Sequence, residues 1–349
     1  MRSGLRLRPW AGIDVGDWSI KLVAAMGSRH RTAETRVTVP AQERDTPSGR
    51  ERVAKLIAEC MELTGLGPRG FGGITMGIAG PDVILKQIAL PYMDEDEIGP
   101  ALRFEARKHL PFDPQGMVID YQLVGRSITE RRLDVLLAAV TQERLDRHMA
   151  PLRLLGLDAD IVDAVPLAVT NALLQGMAVW PGTLMLLDLG HTASHLILYH
   201  RTEPYFARRI EFGGKSITQA VARGMKIAFE DAEAWILSLD GGRADTRIDW
   251  NLPEMKLVLE ALRLDLLEEI KRSVAFYRTI GKLNEPFSLW ISGGAARLPG
   301  LAERLAELLE VQVRVFTPLA SPDGKSEADG LPAYAPQLAQ AFGLALRAA

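Results

Sequence analysis

The sequence predicts a duplicated α/β fold, two structurally related halves facing each other across a cleft. An apolar strand ending in Asp-x-Gly occurs twice, as Gly12-Ile13-Asp14-Val15-Gly16 and as Leu187-Asp188-Leu189-Gly190, about half a chain length apart. Each runs through small hydroxyl residues into a second apolar strand: by Ser19 and Lys21 to Leu22-Val23, and by Thr192 and Ser194 to Leu196-Ile197-Leu198. Each half also holds a later strand that runs into glycine, at 73–80 and again at 287–294. Self-similarity at this scale is the mark of an internal repeat.

Taken in order, Ala11–Val15 and Ile20–Ala25 read as a hairpin, with a further strand near Arg36–Pro40. Val53, Leu56, Ile57, Cys60 and Leu63 recur at three-and-four spacing and predict a helix over Glu51–Leu63, stopped by Gly65-Leu66-Gly67-Pro68. Asp94 and Glu97 have the spacing of a capping box and open a helix through His109, ended by Pro111. Strands at Val118–Val124 and Leu133–Val140 follow, then a helix over Gln142–Leu155 broken or kinked at Pro151, so this stretch reads as a small inserted α/β unit. The second half repeats the order: a hairpin of Leu184–Asp188 and His195–Tyr199, a strand at Phe206–Phe212, and a helix after Gly213-Gly214. Phe229–Leu239 is helical, Asp240-Gly241-Gly242 begins a polar loop, and one long helix runs from Glu254 to Tyr277 with Leu259, Leu262, Leu266, Ile270 and Val274 on its apolar stripe. Ala320–Gly330 reads as a mobile loop, and a closing helix carries Leu338, Phe342 and Leu346.

Composition narrows the function. The 349 residues are 47% hydrophobic and 24% charged, the profile of a folded globular chain. A net charge of −3 argues against a nucleic-acid partner, since domains built for phosphate backbones are strongly basic. The single cysteine, Cys60, rules out an intramolecular disulfide and fits a reducing compartment. No run approaches eighteen consecutive apolar residues, and the arginines of Met1–Arg8 precede no apolar segment, so the expected location is cytoplasmic.

The chemistry concentrates at the repeated turns. A strand–turn–strand that bares successive backbone N–H groups forms an anion-binding concavity. An aspartate beside it holds Mg²⁺ through water. Asp14, Gly16, Ser19 and Lys21 form the first such group, and Asp188, Gly190 and Thr192 the second. Alone, either Asp-x-Gly is an ordinary turn; the recurrence favours a shared phosphate clamp. Gly213-Gly214-Lys215 stands at a helix N-terminus, although the first glycine of a Walker loop would fall on Arg209. Gly293 and Gly294 leave space for a flat group such as adenine, or make a plain strand-to-helix turn. His191, His195 and His200 lack the strand parity to converge on one ion.

These elements, in this order, resemble the actin-like ATPase superfamily. The resemblance implies an actin-like (ribonuclease H-like) α/β fold of two domains, with Asp160–Ala172 as the connecting helix and Ile291–Gly294 as the adenosine motif. Leu90-Pro91, Asp96-Glu97-Ile98, Arg103-Phe104-Glu105-Ala106-Arg107, Leu110-Pro111-Phe112, Asp120-Tyr121-Gln122 and Phe212-Gly213-Gly214 narrow it further. They resemble the PilM family of type IV pilus assembly proteins, from about Ala11 to Arg347. That resemblance implies a first domain over 1–178 with a subdomain inserted at about 86–150, and a second over 179–349 with an insertion at about 225–286. It implies ATP and Mg²⁺ in the cleft, with Asp14 and Asp188 toward the metal. It also implies a groove involving Arg103, Phe104, Leu110 and Phe112 for the N-terminal cytoplasmic peptide of an inner-membrane, PilN-like partner. The chain would then sit at the inner membrane through that partner. The family's carboxylate two residues after Asp163 is here Val165, which cannot align water, so slow or absent turnover is expected. A small-molecule kinase of the same superfamily, using Asp82, and a filament-forming tether of the FtsA type are the alternatives.

Overall fold

The computed structural model describes residues 8–27, 29–80, 83–110, 114–175, 183–200, 203–239, 248–279, 287–318, 328–329 and 335–348. Alternating apolar residues fold the start into a hairpin, β1 (Trp10–Val15) against β2 (Ser19–Met26), which sets Asp14 directly opposite Lys21. β3 (Arg29–Arg36) continues the meander but ends at the residue where the sequence places its start. Its run RHRTAETR is too polar to signal a strand, yet Thr32, Ala33 and Thr35 are buried. α1 (Pro47–Leu63) is capped by Thr46, whose hydroxyl accepts from the Gly49 amide at 3.1 Å. It buries Val53, Ile57, Cys60 and Met61 on the sheet, and β4 (Gly73–Ile78) then returns parallel to β1.

The inserted unit follows. β5 (Ile84–Pro91) was not foreseen; after α2 (Glu95–Glu105) come β6 (Met117–Ser127) and β7 (Arg132–Thr141), and the three strands form a sheet in the order β5-β7-β6. Glu97 reaches back to the Asp94 amide at 3.1 Å, half of the expected capping box. α3 (Gln142–Leu154) runs unbroken through Pro151, contrary to the expected break. The proline forgoes only the bond from its own nitrogen to the Arg147 carbonyl, and its ring is buried.

The connecting segment also differs from expectation. Residues Ile161–Ala164 are not helical but form β8, parallel to β4, and α4 (Val165–Gln175) starts only after them. Asp160 fixes the strand: its amide donates to the Ile74 carbonyl and its carboxylate accepts the Ile74 amide at 2.8 Å.

In the second half β9 (Thr183–Leu189), β10 (Ser194–His200) and β11 (Glu203–Ile210) repeat the meander, and α5 (Gly214–Met225) and α6 (Phe229–Leu239) follow. The long helix is α7 (Pro253–Ala261) and α8 (Glu268–Thr279), joined by a π-helical stretch over Leu262–Leu267. One extra residue per turn there lets Leu262, Leu266 and Leu267 all face the core. β12 (Phe287–Ser292), α9 (Leu301–Leu309), β13 (Val313–Val315), β14 (Ala328–Asp329) and α10 (Ala339–Ala345) complete the chain. The expected polar loop at Asp240 lies outside the described residues, as does most of Ala320–Gly330.

Among the described residues the first half has a sheet in the order β14-β3-β2-β1-β4-β8, and the second one in the order β11-β10-β9-β12-β13. The shared core of the repeat is the antiparallel meander plus one parallel strand, β3-β2-β1-β4 matching β11-β10-β9-β12. Although last in the chain, α10 packs against β1, β2, β4 and α4 of the first half. Arg347, just beyond it, pairs with Asp163 at 3.1 Å.

That packing depends on missing side chains. A Cβ on Gly343 would stand 1.8 Å from the Ala168 carbonyl oxygen, and one on Gly12 would stand 2.1 Å from that of Ala341. In an isolated helix Gly→Ala gains about 1 kcal/mol, whereas forcing a methyl against rigid backbone costs about 1–3 kcal/mol or more. We therefore expect Gly343→Ala to lower the thermal unfolding midpoint. A variant as stable as the parent in calorimetry would mean that α10 does not lie against α4 this closely.

Candidate functional site

A cavity of about 540 Å³ opens between the two hairpin turns. Asp14, Gly16, Ser19 and Lys21 line it from the first half, and Gly190, Thr192, Gly214, Gly293 and Gly294 from the second. Asp188, Gly213 and Lys215 stand behind or beside this wall.

Strand pairing builds the first turn. Lys21 Nζ lies 3.2 Å from Asp14 Oδ2, both side chains nearly out of solvent. Ser19 Oγ donates to Glu34 on β3 at 2.6 Å, and the Gly16 amide closes the turn onto the Ser19 carbonyl. Burial pushes the Asp14 carboxyl above its ordinary value even though Lys21 pulls it down, and the charges of Asp188 and Glu34 push the same way as burial. Burial alone would lower the Lys21 ammonium, but Asp14, Glu34 and Asp188 together hold it above its usual range.

The second turn is held from behind. The amides of Gly214 and Lys215 donate to the carbonyls of Gly190 and His191 at 3.0 and 2.8 Å. This helix N-terminus therefore spends those two amides on the turn, not on the cavity, and the Lys215 side chain is exposed. Asp188 is fully buried; its carboxylate accepts from Ser292 Oγ at 2.9 Å and from the Gln340 side-chain amide. Gly293 takes a φ of 89°, and a Cβ there would meet the Leu189 carbonyl at 2.3 Å, so only glycine fits. Nothing lies within 4 Å of the corresponding position on Gly294, which faces open space.

The two turns also touch. Thr192 Oγ1 donates to Asp17 Oδ2, and Arg44 holds the other oxygen of Asp17 at 2.9 Å. Trp18 Nε1 donates to Glu233 on α6 at 3.1 Å; Arg36 pairs with the same carboxylate and lies 5.0 Å over the Trp18 ring. Asp17 and Trp18 adjoin the first motif and were findable from it. Glu34, Glu233, Gln337 and Gln340 carry no sequence signal, because strand pairing and helix return bring them in from afar.

His148, His191 and His195 line the same cavity. Burial lowers the basicity of His191, His195 and His148, so each imidazole is neutral near pH 7. Among the described residues no group of three or more His, Cys, Asp or Glu side chains forms a metal cage. The acidic residues instead suit a cation held mainly by its own waters and a phosphate.

On the inserted unit, Phe104 is 70% exposed and Arg103 is also exposed, whereas Leu110 is buried in the core with Ile98, Leu102 and Leu133. Phe112 and Asp82 lie outside the described residues.

Removing the lysine isolates a buried charge. Lys21→Met is expected to cost about 3–5 kcal/mol. Asp14 is already raised, so its contribution is favourable at low pH and is lost as pH climbs through the raised value. Without Lys21 the raise grows, and the deficit of the variant should widen from acid to neutral pH. Urea unfolding of both proteins across that range measures it; a pH-independent difference would exclude the Asp14–Lys21 pair as its source.

Comparison with known proteins follows the same lines. The model of a family described as type IV pilus assembly protein PilM matches residues 12–349. A solved PilM–PilN type IV pilus biogenesis complex is 26% identical, covers 97% of each chain and superposes with a TM-score of 0.76. The ethanolamine utilization protein EutJ of Carboxydothermus hydrogenoformans (14% identical, 97% of this chain and 89% of that one, TM-score 0.55) shares the fold. So does MreB5 of Spiroplasma citri bound to ADP (10%, 97% and 95%, TM-score 0.51). The cell division protein FtsA of Staphylococcus epidermidis is 24% identical over 148 residues, 38% of this chain. Against such curated relatives the chain spans about a third of their length, 31% for this one. The fold is thus actin-like, and with a match that runs almost from end to end the chain belongs to the PilM family of type IV pilus assembly proteins.

Proposed function

We propose that the protein is a nucleotide-responsive scaffold of the pilus machine. It binds ATP with Mg²⁺ in the interdomain cleft and presents a groove on its inserted subdomain to the short cytoplasmic peptide of a PilN-like inner-membrane protein. The observation that carries this reading is the single cavity walled by both repeated turns. A ligand touching both walls favours the closed arrangement of the halves.

Ser19, Lys21 and Thr192, with the turn backbones at Gly16 and Gly190, would hold the phosphates, and Gly294 would leave room for the base. Asp14, with Asp188 behind it, would hold Mg²⁺ through water. The bound ion would supply positive charge to the phosphates. The carboxylates around Lys21 make such a cation necessary, since a bare polyphosphate would meet them with like charge. Val165 opens α4, is buried and lines the cavity where a water-aligning carboxylate is expected, so turnover is slow or absent.

An exposed aromatic beside an exposed arginine supports the groove. Large aromatic and arginine side chains dominate peptide interfaces. Coupling to the cleft has a route, because β11 of the second half lies against β5 and β6 of the inserted sheet. Among the described residues no helix is long and apolar enough to cross a membrane, and the proposed attachment is through the partner.

Calorimetry should give saturable ATP binding in MgCl₂ with no phosphate release above background; absence of binding would sink the nucleotide reading. Phe104→Ser should weaken the partner peptide about tenfold or more in fluorescence anisotropy while leaving the melting temperature unchanged. Unchanged peptide affinity would remove Phe104 from the groove.

A further inference from the structure

The wall that the first half gives to the cavity carries a second group of charges, which the two turns do not use. Arg144, Arg147, His148 and Pro151 on α3 all line it, at the spacing i, i+3, i+4 and i+7 that shares one helix face. A helix stripe turned inward is ordinarily apolar. This one gives the cavity two guanidinium groups and an imidazole.

Both arginines converge on one oxygen. Arg144 Nη1 lies 3.9 Å and Arg147 Nη1 3.7 Å from Asp45 Oδ2, and Asp45 lines the cavity too. These separations exceed a direct hydrogen bond. All three side chains are partly exposed, so the pairs hold weakly. Arg44 is not part of the group, because the carboxylate and carbonyl of Asp17 hold it to the first turn at 2.9 and 2.6 Å. Asp45 has the geometry of a placeholder: its oxygen stands between two guanidinium groups, where the oxygen of an incoming carboxylate or phosphate would lie. Arginine forks grip such oxyanions through shorter, charge-assisted bonds.

His148 adds selectivity. Its Nε2 lies 2.7 Å from the Gly77 carbonyl, which only accepts, so Nε2 carries the hydrogen and Nδ1 the lone pair. Arg144 and Asp45 are near enough to act on the charge of this ring. With the imidazole neutral, Nδ1 takes a hydroxyl hydrogen.

We propose that this wall is a second ligand site for a small hydroxylated organic anion: Arg144 and Arg147 take its carboxylate or phosphate in exchange for Asp45, and His148 accepts from its hydroxyl group. These residues belong to neither turn and come from the first half alone, so the site does not depend on the nucleotide reading.

The test titrates the full chain by calorimetry with glycerol 3-phosphate, with glycerate and with inorganic phosphate, each without ATP and with saturating ATP and MgCl₂. Glycerol 3-phosphate or glycerate should bind in both conditions, and the tighter of the two identifies the anionic group. Asp45→Asn removes the competing carboxylate at an exposed position and should tighten that ligand about threefold or more; Arg147→Met should weaken it about tenfold or more. Arg147→Lys keeps the charge without the fork, should lose part of the affinity, and covers the case in which the methionine variant does not fold. His148→Phe should weaken the hydroxylated ligand about fivefold and leave inorganic phosphate unchanged. No binding of these anions to the parent, their displacement by ATP, no tightening in Asp45→Asn, or an equal loss for every anion in His148→Phe would overturn the proposal. A parent that binds them but no ATP would keep this site and overturn the nucleotide reading alone.

Discussion

One lysine stands among three buried or half-buried carboxylates, and the rest of the cleft is arranged around that imbalance. Asp14 faces Lys21 across the β1–β2 pair, Glu34 approaches from β3, and Asp188 arrives from the other half on β9. Charges in a poorly solvated site interact several times more strongly than in water. The protein answers by giving each carboxylate a donor: Ser19 to Glu34, Ser292 and Gln340 to Asp188, Lys21 to Asp14. A polyphosphate entering this site would meet like charge from these carboxylates, and an accompanying cation would offset it.

The floor of the cleft is built from closely approaching backbone. It is formed where the end of the chain returns to the first half, with α10 seated on glycine-lined backbone at Gly12 and Gly343. Leucine side chains at these crossings would give as much apolar burial but would separate the elements. With Gly293 bound to Pro336, and Gln337 and Gln340 reaching opposite ways, the same few residues fix the carboxylates of both halves.

The sequence revealed what depends on pattern and hid what depends on approach. The duplicated hairpins, the π-interrupted stripe of α7 and α8 and the glycine turns were readable because period and repetition carry them. β3 was displaced because a strand of RHRTAETR has no apolar alternation to detect. β8 was hidden inside an expected helix because four residues are too few for either period to declare itself. Asp14, Ser19, Lys21, Gly190 and Thr192, expected from the sequence to face a phosphate, do converge on one cavity. Their partners Glu34, Glu233 and Gln337 come from positions far away in the chain, and only folding supplies that adjacency. Phe104 could be core or surface by composition, and burial resolves it to the surface.

The rim and the floor differ in strength, and this sets how the cleft can open. Arg36–Glu233 and Arg44–Asp17 involve partly exposed side chains, and such pairs contribute no more than about 1 kcal/mol each. The Asp14–Lys21 pair is buried, and breaking it leaves an uncompensated charge. An opening of the cleft would therefore part Trp18 from Glu233 and Thr192 from Asp17 before it disturbed the floor at Gln337 and Gln340. Motion of that kind would carry β11 along with the second half, and β11 bears on β5 and β6 of the inserted sheet. A cleft that is weak at its mouth and firmly held at its base would let the angle between the halves change while the floor contacts stay made.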